Sequence, residues 1–318
     1  MTFPTPILLS RRTALLGAAA APLAGAALTN VSLADGHAPK GPSIGPAEAF
    51  KLGSAEVVAL LDGTRVVDGD PQGTFAMNVD QARFAEVSAE AFLPIDKTRF
   101  FFTPTLVKIG GEAILFDTGL GGENGNIVAA LADAGHKPED ITVVVLTHMH
   151  PDHIGGLMGG NPFPNARFVM GAKEYDFWAG PGANNRVGEM VAKGVTPLAE
   201  KATMIEPGQD VVTGVQAVEA FGHTPGHMAY RIESDGQNLL IAADTANHYV
   251  WSLAYPEWEV RFDADKAAAA ATRKRLFGMV AAEKMPFLGY HMPFPALGYV
   301  ETRGDGFRYV PHSYQLQL

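Results

Sequence analysis

The 318-residue sequence contains no cysteine. Disulfides and thiolate metal ligands are therefore excluded, and any metal must be held by imidazole and carboxylate. Basic residues are also in deficit: 24 Lys and Arg stand against 34 Asp and Glu, a formal charge of -10. Nucleic-acid binding needs clustered cations to meet the phosphates, so no nucleic-acid partner is expected and a small molecule is. Past the N-terminus no run reaches the ~18 apolar residues of a membrane span, which argues against stable membrane insertion of the mature chain. The 47% hydrophobic content is enough for one large core, so one α/β unit is expected, and a homodimer is compatible with it.

Ser10-Arg11-Arg12 precedes Thr13 and a weakly apolar, Ala- and Gly-rich run that ends near Ala34. Paired arginines ahead of such a run, with a small-x-small site after it, fit a twin-arginine signal peptide over residues 1–34. An ordinary secretory signal or an uncleaved anchor is the plainer alternative, although Pro22 interrupts the run as a spanning helix. Residues 35–47 lack periodicity and read as a flexible leader, with the folded domain at 48–318. A periplasmic or secreted protein is the expectation.

Short apolar, β-branched runs predict strands over 57–61, 100–109, 113–116, 141–146 and 167–170, with helices over 125–134 and 173–178. The second half repeats the style, with strands over 215–220, 229–233, 239–243 and 287–290 and one long helix over 263–283. Asp263 is placed to cap that helix, and its alanine run favours it. Two such halves suit a sheet-on-sheet sandwich with helices outside.

The densest chemistry follows the 141–146 strand, in Thr147-His148-Met149-His150-Pro151-Asp152-His153. His148 and His150 are two apart, so an extended backbone turns both imidazoles to one side. Pro151 disfavours helix at His150 and keeps that segment extended. Asp152 and His153 are adjacent and must diverge, so one segment can serve two centres. A lone histidine is usually an ordinary core or surface residue, but burying four ionisable groups in six residues is costly unless they share a ligand.

His148-x-His150-x-Asp152-His153 resembles the H-x-H-x-D-H signature of the metallo-β-lactamase superfamily. Downstream, Gly222-His223-Thr224-Pro225-Gly226-His227 resembles that family's third-histidine loop, Asp244 its bridging aspartate and His291 its last ligand. Phe116-Asp117-Thr118-Gly119 resembles its D-T-G turn. The resemblance implies an α/β fold of the four-layer αββα kind and two divalent metal ions, with zinc the default. It further implies that His148, His150 and His223 bind the first metal, that Asp152, His153 and His291 bind the second, and that Asp244 bridges them. Asp117 would support a ligand histidine from behind, and His227 would be structural. Each downstream residue also has a plainer role: Asp244 as a loop cap, and Gly222 and Gly226 as hinges of a tight turn around Pro225.

The resemblance implies a hydrolase in which a metal-bridging hydroxide attacks a carbonyl carbon or phosphorus, with Asp152 orienting it or passing its proton. His150 retains the hydrolytic form of the signature. His291 to Gly298 resembles the H-x-P-F-P-x-x-G ending of methyl parathion hydrolase and related lactonases, with Ala296 where glycine is common. Lactones, esters or phosphotriesters are the expected substrates. The rivals are a periplasmic β-lactam hydrolase, a glyoxalase II-like thioesterase, and a metal-binding protein without turnover. Tyr175, Phe177 and Trp178, and then Tyr249, Trp251, Tyr255 and Trp258, are candidates for a substrate wall, most of them for packing. His37, His136 and His312 carry no ligand pattern, and His248 is left as a residue that would line the pocket.

Overall fold

The computed structural model describes residues 45–313. The expected signal segment and residues 35–44 of the expected leader lie outside the described residues. In the first half, β1 (Ala47–Leu52) and β2 (Ala55–Leu60) form a hairpin, and β3 (Gly63–Asp68) pairs with β4 (Lys97–Phe102) around α1 (Gln81–Glu90). Then follow β5 (Thr105–Ile109), β6 (Glu112–Phe116), α2 (Ile127–Asp133), β7 (Val143–Leu146), α3 (Pro151–Ile154) and β8 (Arg167–Gly171). The half ends with α4 (Ala172–Ala179), α5 (Arg186–Met190), α6 (Thr196–Ala199) and β9 (Thr203–Ile205). The second half contains β10 (Asp210–Val212), β11 (Val215–Glu219), β12 (Met228–Ser234), β13 (Gln237–Ala243), α7 (Lys266–Glu283), β14 (Phe287–Gly289), β15 (Leu297–Arg303) and β16 (Gly306–Pro311).

Among the described residues two seven-stranded sheets result, one in the order β1-β2-β5-β6-β7-β8-β9 and one running β10 through β16 in sequence order. The two-residue period of the strands decides which core each side chain enters. Val57, Ala59, Val107, Ile114, Phe116, Val143, Val145 and Val169 join second-sheet residues such as Val215, Tyr230 and Ile232 in one buried cluster. Their neighbours Val58, Leu60, Leu106, Leu115, Val144 and Leu146 turn to the other face and pack with Ile127 and Leu131 of α2 and Trp178 of α4. Leu276, Phe277 and Val280 of α7 cover the second sheet. This is the expected αββα sandwich.

Parallel pairing of β7 with β6 and β8, and of β13 with β14, sends several strand ends to one edge of the sandwich. Residues that follow β6, β7, β13 and β14 are Asp117, Thr147 to His153, Asp244 and His291, so the topology gathers the expected site.

The predicted strand over 100–109 is two strands, broken at Thr103-Pro104. Proline has no N–H for the ladder, and the chain leaves the β3–β4 pair there to join the first sheet. The long helix starts at Lys266, and its cap is Asp265, whose side chain accepts from the Ala268 N–H; Asp263 is not the cap. Ala47, the last residue of the expected leader, already pairs with Leu60 in β1. Among the described residues no helix is long and apolar enough to cross a membrane.

Candidate metal centre

His150 has φ -67° and ψ 154° and stands immediately before α3, with Pro151 at the first helical position. The extended backbone expected from Pro151 is present, and the rings of His148 and His150 lie 4.8 Å apart. The potential ligand atoms fall into two groups, His148, His150, His223 and Asp244 in one and Asp152, His153 and His291 in the other, with all atoms of a group within 4.8 Å of one another. That is the division implied by the resemblance. Asp244 lies between the groups: its Oδ2 is 3.2 Å from His223 Nε2 and 3.1 Å from His291 Nε2, and its Oδ1 is 3.2 Å from His153 Nε2.

The far nitrogen of four of the five imidazoles is held by the protein. Thr147 donates its hydroxyl to Asp117 Oδ2 and so accepts from His148 Nδ1. His153 Nδ1 donates to Asp117 Oδ2 (2.8 Å), His223 Nδ1 to Asp263 Oδ1 (2.9 Å) and His291 Nδ1 to the Phe101 carbonyl (2.8 Å). Once a metal displaces any proton on Nε2, each bond fixes a tautomer whose Nε2 lone pair faces the centre, the arrangement that metal-binding histidines require. Buried Nε2 of His148 and His153 and Oδ1 of Asp244 have no hydrogen-bond partner, and His150 Nδ1 faces His223 Nε2 at 2.9 Å. Buried polar atoms are rarely left unpaired, so the vacant Nε2 of His148 and of His153, one in each group, call for a cation. The residues present therefore fit two divalent ions.

Without a metal, the electrostatics divide the imidazoles: against burial, which would lower both, the carboxylates Asp244, Asp117 and Asp152 raise His153, and Asp244 raises His291. Burial, then the neighbouring imidazoles, hold His148 and His150 well below the usual imidazole range, so both rings are neutral, the form that binds metal. Burial alone would lower His223 too, but hydrogen bonds to Asp244 and Asp263 raise it to about 9. Burial would raise Asp244, yet the charges of His291 and His153 keep its carboxyl well below the usual range.

Backbone strain sits at two positions of the site. Asp117 has φ +66°, which aims both carboxylate oxygens at Thr147 and His153. Ala243, with φ +44°, follows a register shift in the β13–β14 ladder and directs Asp244 inward. Left-handed backbone at a non-glycine residue costs ~1–3 kcal/mol and persists where the surroundings enforce it.

The structure separates the remaining candidates. His227 donates from Nδ1 to the Ala220 carbonyl, and its Nε2 accepts from the Asp244 N–H, so both nitrogens are spent on structure. His248 Nδ1 accepts from the Val250 and Trp251 N–H groups, and its ring stacks on Trp251 at 4.1 Å. Trp251 and Trp258 are core residues of a third cluster, together with Phe75 and Phe84. Tyr175 and Phe177 pack on the helix-side core, while Trp178 reaches the His150 ring edge-on at 6.1 Å. Phe100 and Phe102, which the sequence reading did not single out, meet His291 edge-on at 5.9 and 5.4 Å. Asp263 was also missed as a site residue: it is buried, and its Oδ2 accepts from Arg273 Nη1 at 2.8 Å while Oδ1 holds His223. Ala296 has φ +65°, which accounts for glycine being common there.

A family model described as the metallo-beta-lactamase superfamily matches residues 103–283. An N-acyl homoserine lactonase of Bacillus cereus is 31% identical over 170 residues, 53% of this chain and 63% of that protein. The chain thus spans less than two thirds of the length of that curated relative. Among solved structures, AidC, a dizinc quorum-quenching lactonase in complex with a product N-hexnoyl-L-homoserine, superposes with a TM-score of 0.77 at 27% identity, covering 84% of this chain and 98% of that one. The hydrolase AbOPH of the beta lactamase superfamily also has a TM-score of 0.77, at 24% identity over 86% of this chain and 99% of its own, and shows the shared fold. Sandwich, ligand groups and family match together place this chain in the metallo-β-lactamase superfamily.

Proposed function

We propose that the protein is an exported two-metal hydrolase that opens lactones, with acyl-homoserine lactones as the lead substrates. The observation that carries the hydrolase reading is the pair of ligand groups sharing Asp244, each with buried atoms left for a cation. The lactone reading is supported by the lactonases among its relatives. Two bound divalent ions, zinc by default, would supply Lewis acidity to polarise an ester carbonyl and make water nucleophilic near neutral pH.

The chain's own residues do the remainder. Asp152 is the more open carboxylate, its side chain 22% exposed against 3% for Asp244, and its Oδ2 is 3.4 Å from His291 Nε2. With Oδ2 facing the ligand nitrogens of the second group, Oδ1 is the oxygen left to take the proton of the attacking water and return it to the leaving oxygen. Phe100, Phe102 and Trp178 supply apolar surface beside His291 and His150, suited to an acyl chain and to keeping bulk water off the ester.

The test compares kcat/KM of the metal-loaded protein for acyl-homoserine lactones, methyl parathion and a carbapenem, with His150→Ala as the blank. Lactone turnover that disappears in the blank is expected. Dominant phosphotriester or β-lactam turnover would replace the substrate class, and no turnover of any of them would sink the lactone proposal. Export by the twin-arginine route rests on Arg11 and Arg12. It predicts that the Arg11→Lys, Arg12→Lys double variant remains unprocessed in the cytoplasm, and normal processing would refute it.

A further inference from the structure

Glu174 belongs to the first turn of α4 and is 1% exposed. Its Oε1 accepts from the Met149 N–H at 2.9 Å and from Trp178 Nε1 at 2.7 Å. Its Oε2 accepts from the Thr224 hydroxyl at 2.7 Å and from the Gly226 N–H at 2.9 Å. The carboxylate thus meets four donors, two on each oxygen, which is its full lone-pair capacity. Gly226 is required for the approach: a Cβ on it would stand 2.2 Å from the Glu174 nitrogen.

Which segments the carboxylate joins matters more than how many bonds it makes. Met149 sits between His148 and His150, and Thr224 follows His223, so every imidazole of the first ligand group stands next to a donor that Glu174 holds. The second group is held by other means. His153 leans on Asp117, the Asp152 carbonyl accepts from the Tyr290 hydroxyl at 2.6 Å, and His291 leans on the Phe101 carbonyl.

We propose that Glu174 is a positioning residue that acts on the first metal group alone, a carboxylate tie that sets the spacing between the 148–150 segment and the His223 loop. This inference rests on the two-metal reading and deepens it. A carboxylate that merely fixed α4 to the sheet would affect folding and both groups alike, whereas the tie acts on one group.

The experiment is a stepwise cobalt(II) titration of the metal-free full chain, read by absorption and by competition with a chromophoric chelator. His223→Ala and His291→Ala identify which step belongs to which group. Glu174→Gln keeps the shape but sets an NH2 against two donors that need an acceptor. It is expected to weaken the first-group step about 10- to 100-fold, the usual cost of losing an outer partner, and to leave the second within about 3-fold. Thr224→Val, which deletes one donor and leaves the carboxylate charged, should weaken the same step less and decides the matter if Glu174→Gln does not fold. Equal weakening of both steps, or of neither, overturns the inference while the two-metal reading stands. Failure of the wild-type chain to take up two cobalt ions overturns both.

Discussion

Replacing Asp263 with asparagine removes a charge from a site almost closed to water. Asp263 is 3% and Arg273 1% exposed, and their ion pair is 2.8 Å long. Breaking a buried pair costs about 3–5 kcal/mol because the surviving ion is left without its counter-charge. Arg273 keeps its bonds to the carbonyls of Pro256 (2.9 Å) and Trp258 (3.3 Å), which places the expected loss near the lower figure, about 3 kcal/mol. For a domain of this size that corresponds to a fall in Tm of roughly 6–12 °C. The assay is thermal and urea unfolding of the metal-free wild type, Asp263→Asn, Arg273→Met and the double variant. The double variant should cost less than the sum of the singles by at least ~1 kcal/mol, since the partners are in contact. Burial pushes the Asp263 carboxyl up, but the His223 hydrogen bond and the Arg273 guanidinium hold it below its ordinary value. A depressed carboxyl contributes its full stability above its unfolded pKa, near 4, and loses it as pH falls through the lower folded value. The wild type's advantage over Asp263→Asn should therefore be full between about pH 5 and 6.5 and shrink below about pH 4; it should also shrink as pH rises toward 9, where His223, whose proton Asp263 helps to hold, becomes neutral. A Tm change under ~2 °C, additive single variants, or an advantage that grows in acid would refute the reasoning.

Other consequences can be checked in the same preparations. Metal-free His223 keeps its proton up to about pH 9, so metal must displace it; first-group affinity should rise up to ~tenfold per pH unit between pH 6 and 9, and a flat chelator-competition profile would contradict this. Tyr290→Phe deletes the hydrogen bond to the Asp152 carbonyl but keeps the ring over His153, whose centroid lies 3.9 Å away; urea unfolding should show a loss of ~1 kcal/mol, and a loss above ~3 would point to a larger role. Ala296→Gly relieves a left-handed backbone and should be neutral or slightly stabilising by thermal unfolding, within ~1 kcal/mol, unlike glycine in regular structure. Phe277→Ala opens a hole against Phe287 and Phe307 and should cost ~3–5 kcal/mol while leaving metal stoichiometry at two.

What the sequence disclosed was chiefly what is local in it. The 148–153 segment packs its ligands within six residues, and the two-residue period and Pro151 fix their directions without reference to the rest of the chain. His223, Asp244 and His291 were legible only through the family pattern, because nothing near them in the chain announces a ligand. Asp263 was read as a helix cap since it precedes the alanine run; Asp265 serves there, and the role of Asp263 depends on His223, 40 residues earlier, and Arg273. Glu174 was passed over for the same reason, as its four donors come from three separate segments. Strands β15 and β16 escaped because their exposed residues, such as Glu301, Thr302 and Arg303, dilute the apolar pattern.

The division of ligands between the halves of the sandwich has a bearing on assembly. The first group takes His148 and His150 from a loop of the first sheet and His223 and Asp244 from loops of the second; the other group takes Asp152 and His153 from the first and His291 from the second. Ions bound there would act as a clasp across the seam, each adding ~2.7 kcal/mol to the folded state at a free concentration one hundred times its dissociation constant. The clasp cannot close early. A chain that has formed only one sheet owns no complete set of donors, so tight loading is a checkpoint passed only once both sheets have met.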